Sequence, residues 1–204
     1  WFDGHYGNRA TLDSTINTTT NSWSLSFWLF NIDNGNYYDF IIGSTSNRNL
    51  AVDNNTDRKL YYRASNGSYY ALSDEVIPQG EWVHIIVTAT ADTSMTAYVN
   101  GEAQTTNSSM SDTELILDRF MAGYNTSSYE SIGSINEISY YNDVLTVGEA
   151  KDLYNDGKAK SALEASGSGN LVGYWRNNGL AEWKDLKGSN DVNTTGNEEA
   201  LLIT

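Results

Sequence analysis

The feature that most constrains this chain is a series of short runs in which apolar and polar residues alternate with period two. The run Trp23-Ser-Leu-Ser-Phe-Trp-Leu-Phe30 sets Leu25, Phe27 and Leu29 on one face and Ser24, Ser26, Trp28 and Phe30 on the other. That spacing is the signature of a β-strand, because successive side chains of a strand point to opposite faces. Trp82 to Thr90 repeats it with Val83, Ile85, Val87 and Ala89 against Trp82, His84, Ile86 and Thr88. Both of its faces are largely apolar, which predicts a central strand. Further strand runs are Tyr37–Ile42, Asn49–Asp53, Lys59–Ala64, Ser68–Leu72, Met95–Val99, Arg119–Tyr124, Ser134–Tyr141 and Leu171–Trp175. Asn66-Gly67 and Asn100-Gly101 sit where hairpins would turn, since both residues tolerate the positive φ of a type I′ turn.

One segment breaks the pattern. Thr146-Val-Gly-Glu149 is a capping box, and Val147, Ala150, Leu153 and Tyr154 recur at helical spacing. The spacing predicts a helix of about three turns from Thr146 to Asp156, closed by a left-handed cap at Gly157 and lying across a sandwich edge. Residues 171–204 carry too little apolar area for a core of their own and are expected to return to the main sandwich. The expectation is one domain over residues 1–204, with 188–204 either a terminal strand or an extended arm whose Leu201-Leu-Ile203 could pack on a neighbouring chain.

Composition excludes several classes of function. Lys plus Arg number 12 against 26 Asp plus Glu, a formal charge of −14. Such a surface repels phosphate backbones and anionic lipid, so no nucleic-acid partner is expected. No apolar run approaches the roughly 20 residues of a bilayer span, so no membrane insertion is expected. The absence of cysteine excludes disulfides, thiolate metal sites and cysteine nucleophiles. The chain begins on Trp1 and reads as a processed product, a fragment or the ordered part of something longer. Its Asn-x-Ser/Thr triplets, at Asn17 and Asn66 among others, read as accidents of an Asn/Thr-rich composition.

The most suggestive functional feature is the set of adjacent tyrosines Tyr37-Tyr38, Tyr61-Tyr62 and Tyr69-Tyr70. Each pair must send one ring inward and one outward. With Tyr38, Tyr62 and Tyr70 outward and Arg48 and Arg63 beside them, the sheet would offer a platform for a sugar, whose apolar C–H face suits a ring and whose hydroxyls suit polar side chains. Strand propensity and cross-strand packing account for paired tyrosines equally well. His84 lies within an apolar strand and reads as a core histidine, and with His5 it lacks the spacing of a zinc site.

Read together, Phe2-Asp3-Gly4, Trp23 to Trp28, Trp82 to Thr88, Tyr98-Val-Asn-Gly101, Gly133 to Ile138, Leu153-Tyr-Asn155 and Leu171 to Trp175 resemble, in order, the laminin G-like branch of the concanavalin A-like lectin/glucanase jelly rolls. The ending Leu171-Val-Gly-Tyr-Trp-Arg176, with Asp185 and Gly188-Ser-Asn190, is similar to copies in bacteriophage virion surface proteins. The resemblance implies an all-β, two-sheet antiparallel jelly-roll sandwich with one short helix. It also implies a structural calcium ion, with Asp3, Asn136, Glu137 and the backbone at Gly4 as its ligands. Glucan-cleaving relatives carry Glu-x-Asp-x-x-Glu or Glu-x-Asp-x-Glu on one strand, and this chain has neither.

The expected function is therefore a non-catalytic carbohydrate-binding or adhesion module, facing the extracellular medium or displayed on a virion surface, with a glycan or cell-surface polysaccharide as partner. The alternatives are a structural virion component that contacts other virion proteins or copies of itself, and a glycan hydrolase or lyase with an unusual site.

Overall fold

The alternating runs become strands in the computed structural model, which describes residues 1–195 apart from 6, 19, 20, 34, 36, 106, 109 and 123–130. In chain order they are β1 (Phe2–Asp3), β2 (Arg9–Asn17), β3 (Trp23–Ile32), β4 (Tyr38–Gly43), β5 (Asn49–Asp53), β6 (Leu60–Arg63), β7 (Tyr69–Ala71), β8 (Trp82–Thr90), β9 (Ser94–Val99), β10 (Glu102–Ala103), β11 (Asn107–Ser108), β12 (Ile116–Phe120), β13 (Ile132–Tyr141), β14 (Leu171–Trp175), β15 (Glu182–Trp183) and β16 (Val192–Thr195). A first sheet runs β1-β13-β3-β8-β9-β10, with β14 beside the far end of β13 and β11 beside β9. A second runs β15-β16-β2-β12-β4-β5-β6-β7. All the pairings are antiparallel, and the two sheets form the expected sandwich.

The inward faces follow the alternation. Leu25, Phe27 and Leu29 of β3 and Val83, Ile85 and Val87 of β8 meet Leu50, Val52, Leu60 and Tyr62 of the second sheet in one buried cluster. Burying each such side chain contributes roughly 1.5–3 kcal/mol. Trp175, Trp183 and Val192 belong to the same cluster, so residues 171–195 do return to the sandwich. Val192–Thr195 pairs with β2 as a strand, the first of the two readings of this stretch, and Leu201–Ile203 lies outside the described residues. Asn100 and Gly101 both take positive φ (49° and 79°) between β9 and β10, as a type I′ turn requires.

The helix departs from expectation in three ways. The α-helix, α1 (Val147–Tyr154), has eight residues, nearer two turns than three. Its left-handed C-cap is Asn155, with φ 47°, ahead of the expected Gly157. It also lies on the outer face of the first sheet and not across an edge. Ile86, Tyr98, Tyr141 and Tyr174 on that face would otherwise be exposed, and they are covered by Leu145, Ala150, Leu153, Ala162, Ala165 and Leu171. Val147, expected on the apolar face, is half exposed.

The capping box forms: the Glu149 amide donates to Thr146 Oγ1 at 3.3 Å, and the Thr146 amide donates to Glu149 Oε2 at 2.8 Å. Thr146→Ala is expected to cost about 1 kcal/mol, which is roughly 2–4 °C of melting temperature for a chain of this size. Thr146→Ser should restore most of it in the same thermal denaturation. No loss in the alanine variant would show that the cap contributes nothing.

Candidate functional site

Where the helical cover of the first sheet ends, a cavity of about 230 Å³ opens on the outer face. It is lined by Trp28, Trp82, Asn136, Glu137, Gly157 and Ala159. Trp28 is on the outward face of β3, opposite His84 of β8 and Asn136 of β13. Its indole is held from behind: the His84 ring centroid is 5.0 Å away, and Tyr154 stacks at 6.1 Å. Gly101 makes room for Tyr154, because a Cβ there would come within 2.9 Å of that ring. Trp82 starts β8 and is 46% exposed, so it offers a free aromatic face at the mouth.

The polar side of the cavity is made by a β-bulge. Opposite β3, the register of β13 shifts between Asn136, paired with Trp28, and Ser139, paired with Ser26. Two residues of β13 therefore face one of β3. Strict alternation would send Glu137 into the core. The extra residue lets Asn136 and Glu137 share the outer face while Ile138 enters the core. Glu137 takes φ 51°, a left-handed conformation that costs a non-glycine residue about 1–2 kcal/mol.

The carboxylate of Glu137 is fully engaged yet not saturated. Tyr174 donates its hydroxyl to Oε2, and Arg176 Nε donates to Oε1 at 2.6 Å. Each carboxylate oxygen retains a second acceptor position. Burial, then the bond to Glu137, pushes the Tyr174 hydroxyl pKa far up, so it stays a donor. The Glu137 charge raises Arg176 above its ordinary value. Asn136 spends its oxygen on the amides of Glu137 and Asn177, at 2.9 and 2.8 Å, which leaves its NH₂ group for an outside acceptor. The site thus combines indole faces, a charge-neutral Glu–Arg pair and amide donors. Its volume falls below the roughly 300–1,000 Å³ of sites for drug-sized ligands, so it suits a single ring.

The residues anticipated from sequence fall in three places. Asn136 and Glu137, expected as calcium ligands, form the polar wall of this cavity. Asp3 and Gly4 do not join them: Asp3 is paired with Ile132, four residues along β13 from Asn136, or about 13 Å. Asp3 instead takes the His5 amide at 3.0 Å and the Asn8 side-chain amide. Among the described residues no group of three or more His, Cys, Asp or Glu side chains is arranged to hold a metal.

The tyrosine platform requires a correction. Tyr62 is fully buried, with its hydroxyl donated to the Glu114 carbonyl at 2.5 Å, and Tyr70 packs on the core. The outward rings are Tyr61 and Tyr69, with Tyr38 as expected. Register decides this, since Tyr62 is paired with Leu50 of the core face and Tyr61 with Ala51 of the other. Tyr38 and Tyr69 stack on each other at 4.2 Å, Tyr61 meets Tyr38 edge-on, and Arg63 sits 5.5 Å over Tyr69. The rings are used on one another more than on solvent. Arg48 is neutralised by Asp112 at 3.3 Å and Glu114 at 2.9 Å.

Trp28 and Trp82 were the residues that sequence reasoning placed but did not select. For Trp28 the available signal was a pair of aromatics, Trp28 and Phe30, on the strand face that also carries Ser24 and Ser26.

A family model described as the concanavalin A-like lectin/glucanases superfamily matches residues 3–151, from β1 into α1. No curated protein sequence matches the chain. A candidate carbohydrate-binding protein from Bacteroides ovatus superposes with a TM-score of 0.64 at 15% identity, over 94% of this chain and 59% of that one, so the chain spans about three-fifths of its length. A heptameric SAP-like pentraxin from Limulus polyphemus gives 0.56 at 14% identity, covering 84% of this chain and 88% of that one. A domain of an extracellular arabinanase from Geobacillus stearothermophilus, solved with arabinotriose, gives 0.53 at 18% identity over 67% and 68%. Likeness at these identities speaks to the fold alone. The family match covers most of the strands that build both sheets, and the chain belongs to the concanavalin A-like lectin/glucanases superfamily.

Proposed function

We propose that the chain is a non-catalytic carbohydrate-binding module, serving adhesion at a cell or virion surface, that seats a sugar ring between Trp28 and Trp82. The observation that carries this reading is the bulge that turns Asn136 and Glu137 toward two indoles. A sugar presents an apolar C–H face and a rim of hydroxyls, and the cavity offers rings to the first and fixed donors and acceptors to the second. The resemblance of the fold to a candidate carbohydrate-binding protein and to an arabinanase domain solved with arabinotriose supports it. Glycosidic cleavage ordinarily needs two carboxyl groups flanking the bond. Glu137 is the single carboxylate among the residues lining the cavity, and it is held by Tyr174 and Arg176.

A glycan array followed by titration calorimetry tests the proposal. Trp82→Ala is expected to weaken binding at least tenfold, about 1.4 kcal/mol, with at most a small drop in melting temperature because Trp82 is about half exposed. Tyr69→Ala, on the opposite sheet, should leave affinity unaltered. Loss of binding in the Tyr69 variant and not in the Trp82 variant would move the site to the tyrosines. Turnover of a polysaccharide would overturn the non-catalytic reading, and an array without signal would overturn the carbohydrate reading itself.

A further inference from the structure

We infer that the ligand is a neutral oligosaccharide chain of at least three residues, lying across β8, β3, β13 and β1 with one end in the Trp28–Trp82 cavity. The inference rests on the carbohydrate reading above and extends it from a single ring to a chain. The helical segment covers the outer face over Ile86, Tyr98, Tyr141 and Tyr174, and Gly157 and Ala159 close the cavity on that side. The part of the face that carries Phe30 and Trp82 lies outside this cover. There Phe30 is paired with Trp82 across β3 and β8 and with Ser134 across β13. The Phe30 and Trp82 ring centroids are 5.7 Å apart, and Trp1 reaches Phe30 at 5.8 Å. Ser134, the cross-strand neighbour of Phe30 on β13, is small, and Trp1 meets Phe30 directly. Three rings therefore stand in single file away from the cavity, each step comparable with one sugar residue. The interplanar angles of 56° and 60° make them separate facets and not one flat plate. A chain whose successive rings are rotated about their linkages suits such facets.

The occupant follows from shape, charge and continuity. A row one ring wide is far narrower than the roughly 800 Å² per partner of a stable protein interface. It runs directly out of a cavity with fixed hydrogen-bonding groups, which neither a lipid tail nor an apolar peptide would use. The Glu137 charge is balanced by Arg176, and the chain carries a net charge of −14, so a polyanionic glycan is disfavoured.

The test is titration calorimetry of the whole chain with glucose, cellobiose and cellotriose, with the arabinose and xylose series to the trisaccharide, and with trigalacturonate as the acidic comparator. In the series that binds, affinity is expected to rise about fivefold or more from mono- to trisaccharide. Trp1→Ala should remove most of that gain and leave the monosaccharide unchanged. Phe30→Ala should remove the gain and, through its contact with Trp82, weaken the monosaccharide as well. Trp82→Ala should weaken every length. Trp1 lies on the exposed rim, so its variant keeps the test decisive if Phe30→Ala unfolds. Equal affinity at all lengths, or trisaccharide binding untouched by Trp1→Ala, overturns the extended site while leaving the single-ring site standing. Trigalacturonate binding as well as the neutral trimers overturns the neutral class. If no member of any series binds the wild type, the carbohydrate reading falls, and the extension with it.

Discussion

Gly133→Ala is expected to destabilise the sandwich by roughly 3–5 kcal/mol, lowering the melting temperature by about 10 °C or more. Gly133 has a strand on either side, paired with Phe2 of β1 and Asn31 of β3. Its φ is +140°, a region that side chains rarely enter, and a methyl group there would run into the carbonyl oxygen of Phe30 and stand 3.3 Å from the Asn31 Cα. Those atoms are backbone, so relief requires separating β13 from β3. That separation also disturbs the floor beneath Phe30 and Trp1. Gly169→Ala is the control, since nothing lies within 4 Å of a Cβ at that position. Urea denaturation of both variants is the measurement. A Gly133 variant as stable as the Gly169 one would show that the strands separate at little cost.

The second large effect is a loss of stability in mild acid that originates at His84. The ring is buried against Trp28 and Tyr154, with Nε2 2.9 Å from Ser26 Oγ, and burial lowers its pKa from 6.5 to about 3. Above pH 6.5 neither the folded nor the unfolded state is protonated there, and the group contributes no pH dependence. Between about 6.5 and about 3 the unfolded chain binds a proton that the folded chain refuses, so stability falls by about 1.4 kcal/mol per pH unit. By pH 4.5 the loss is roughly 3 kcal/mol. The carboxylates of Asp112 and Asp152, held below their usual range, add a loss of the same sign, but only as pH falls below about 4. Urea titrations at pH 7.5, 6.0, 5.0 and 4.5 should therefore show a slope that flattens in His84→Gln. An equal slope in the two proteins would assign the acid sensitivity elsewhere.

The two sheets differ in how much of their structure was legible. In β3 the two faces differ in composition, and the alternation put Leu25, Phe27 and Leu29 on one face and Trp28 and Phe30 on the other. In β8 both faces are largely apolar, and alternation alone did not say on which side of the sheet His84 would lie. In β6 and β7 the sequence offers Tyr-Tyr, and a ring of the same kind serves either face. A shift of one residue exchanges the two. Only the pairing of Tyr62 with Leu50, and of Tyr61 with Ala51, breaks the tie. Strand β2 escaped notice for a related reason. Apart from Ala10, Leu12 and the half-buried Ile16 it is polar, and it holds its place by pairing with β12 and β16.

The candidate site was legible in its parts and not in its assembly. Asn136 and Glu137 stood out as oxygen donors on a late strand, but the bulge that puts them side by side carries no glycine or proline to announce it. Their neighbours Trp28, Trp82, Gly157 and Arg176 are drawn from four distant stretches of the chain. What the sequence by itself determined is whatever acts over a few residues: strand periodicity, the Asn100-Gly101 turn and the Thr146 capping box, whose energies depend on neighbours along the chain. What only the tertiary structure decided is which tyrosines look outward, where the helix lies, and that Glu137 shares a cavity with two indoles. Those outcomes depend on register and on contacts between residues about a hundred positions apart, and no local energy carries that information.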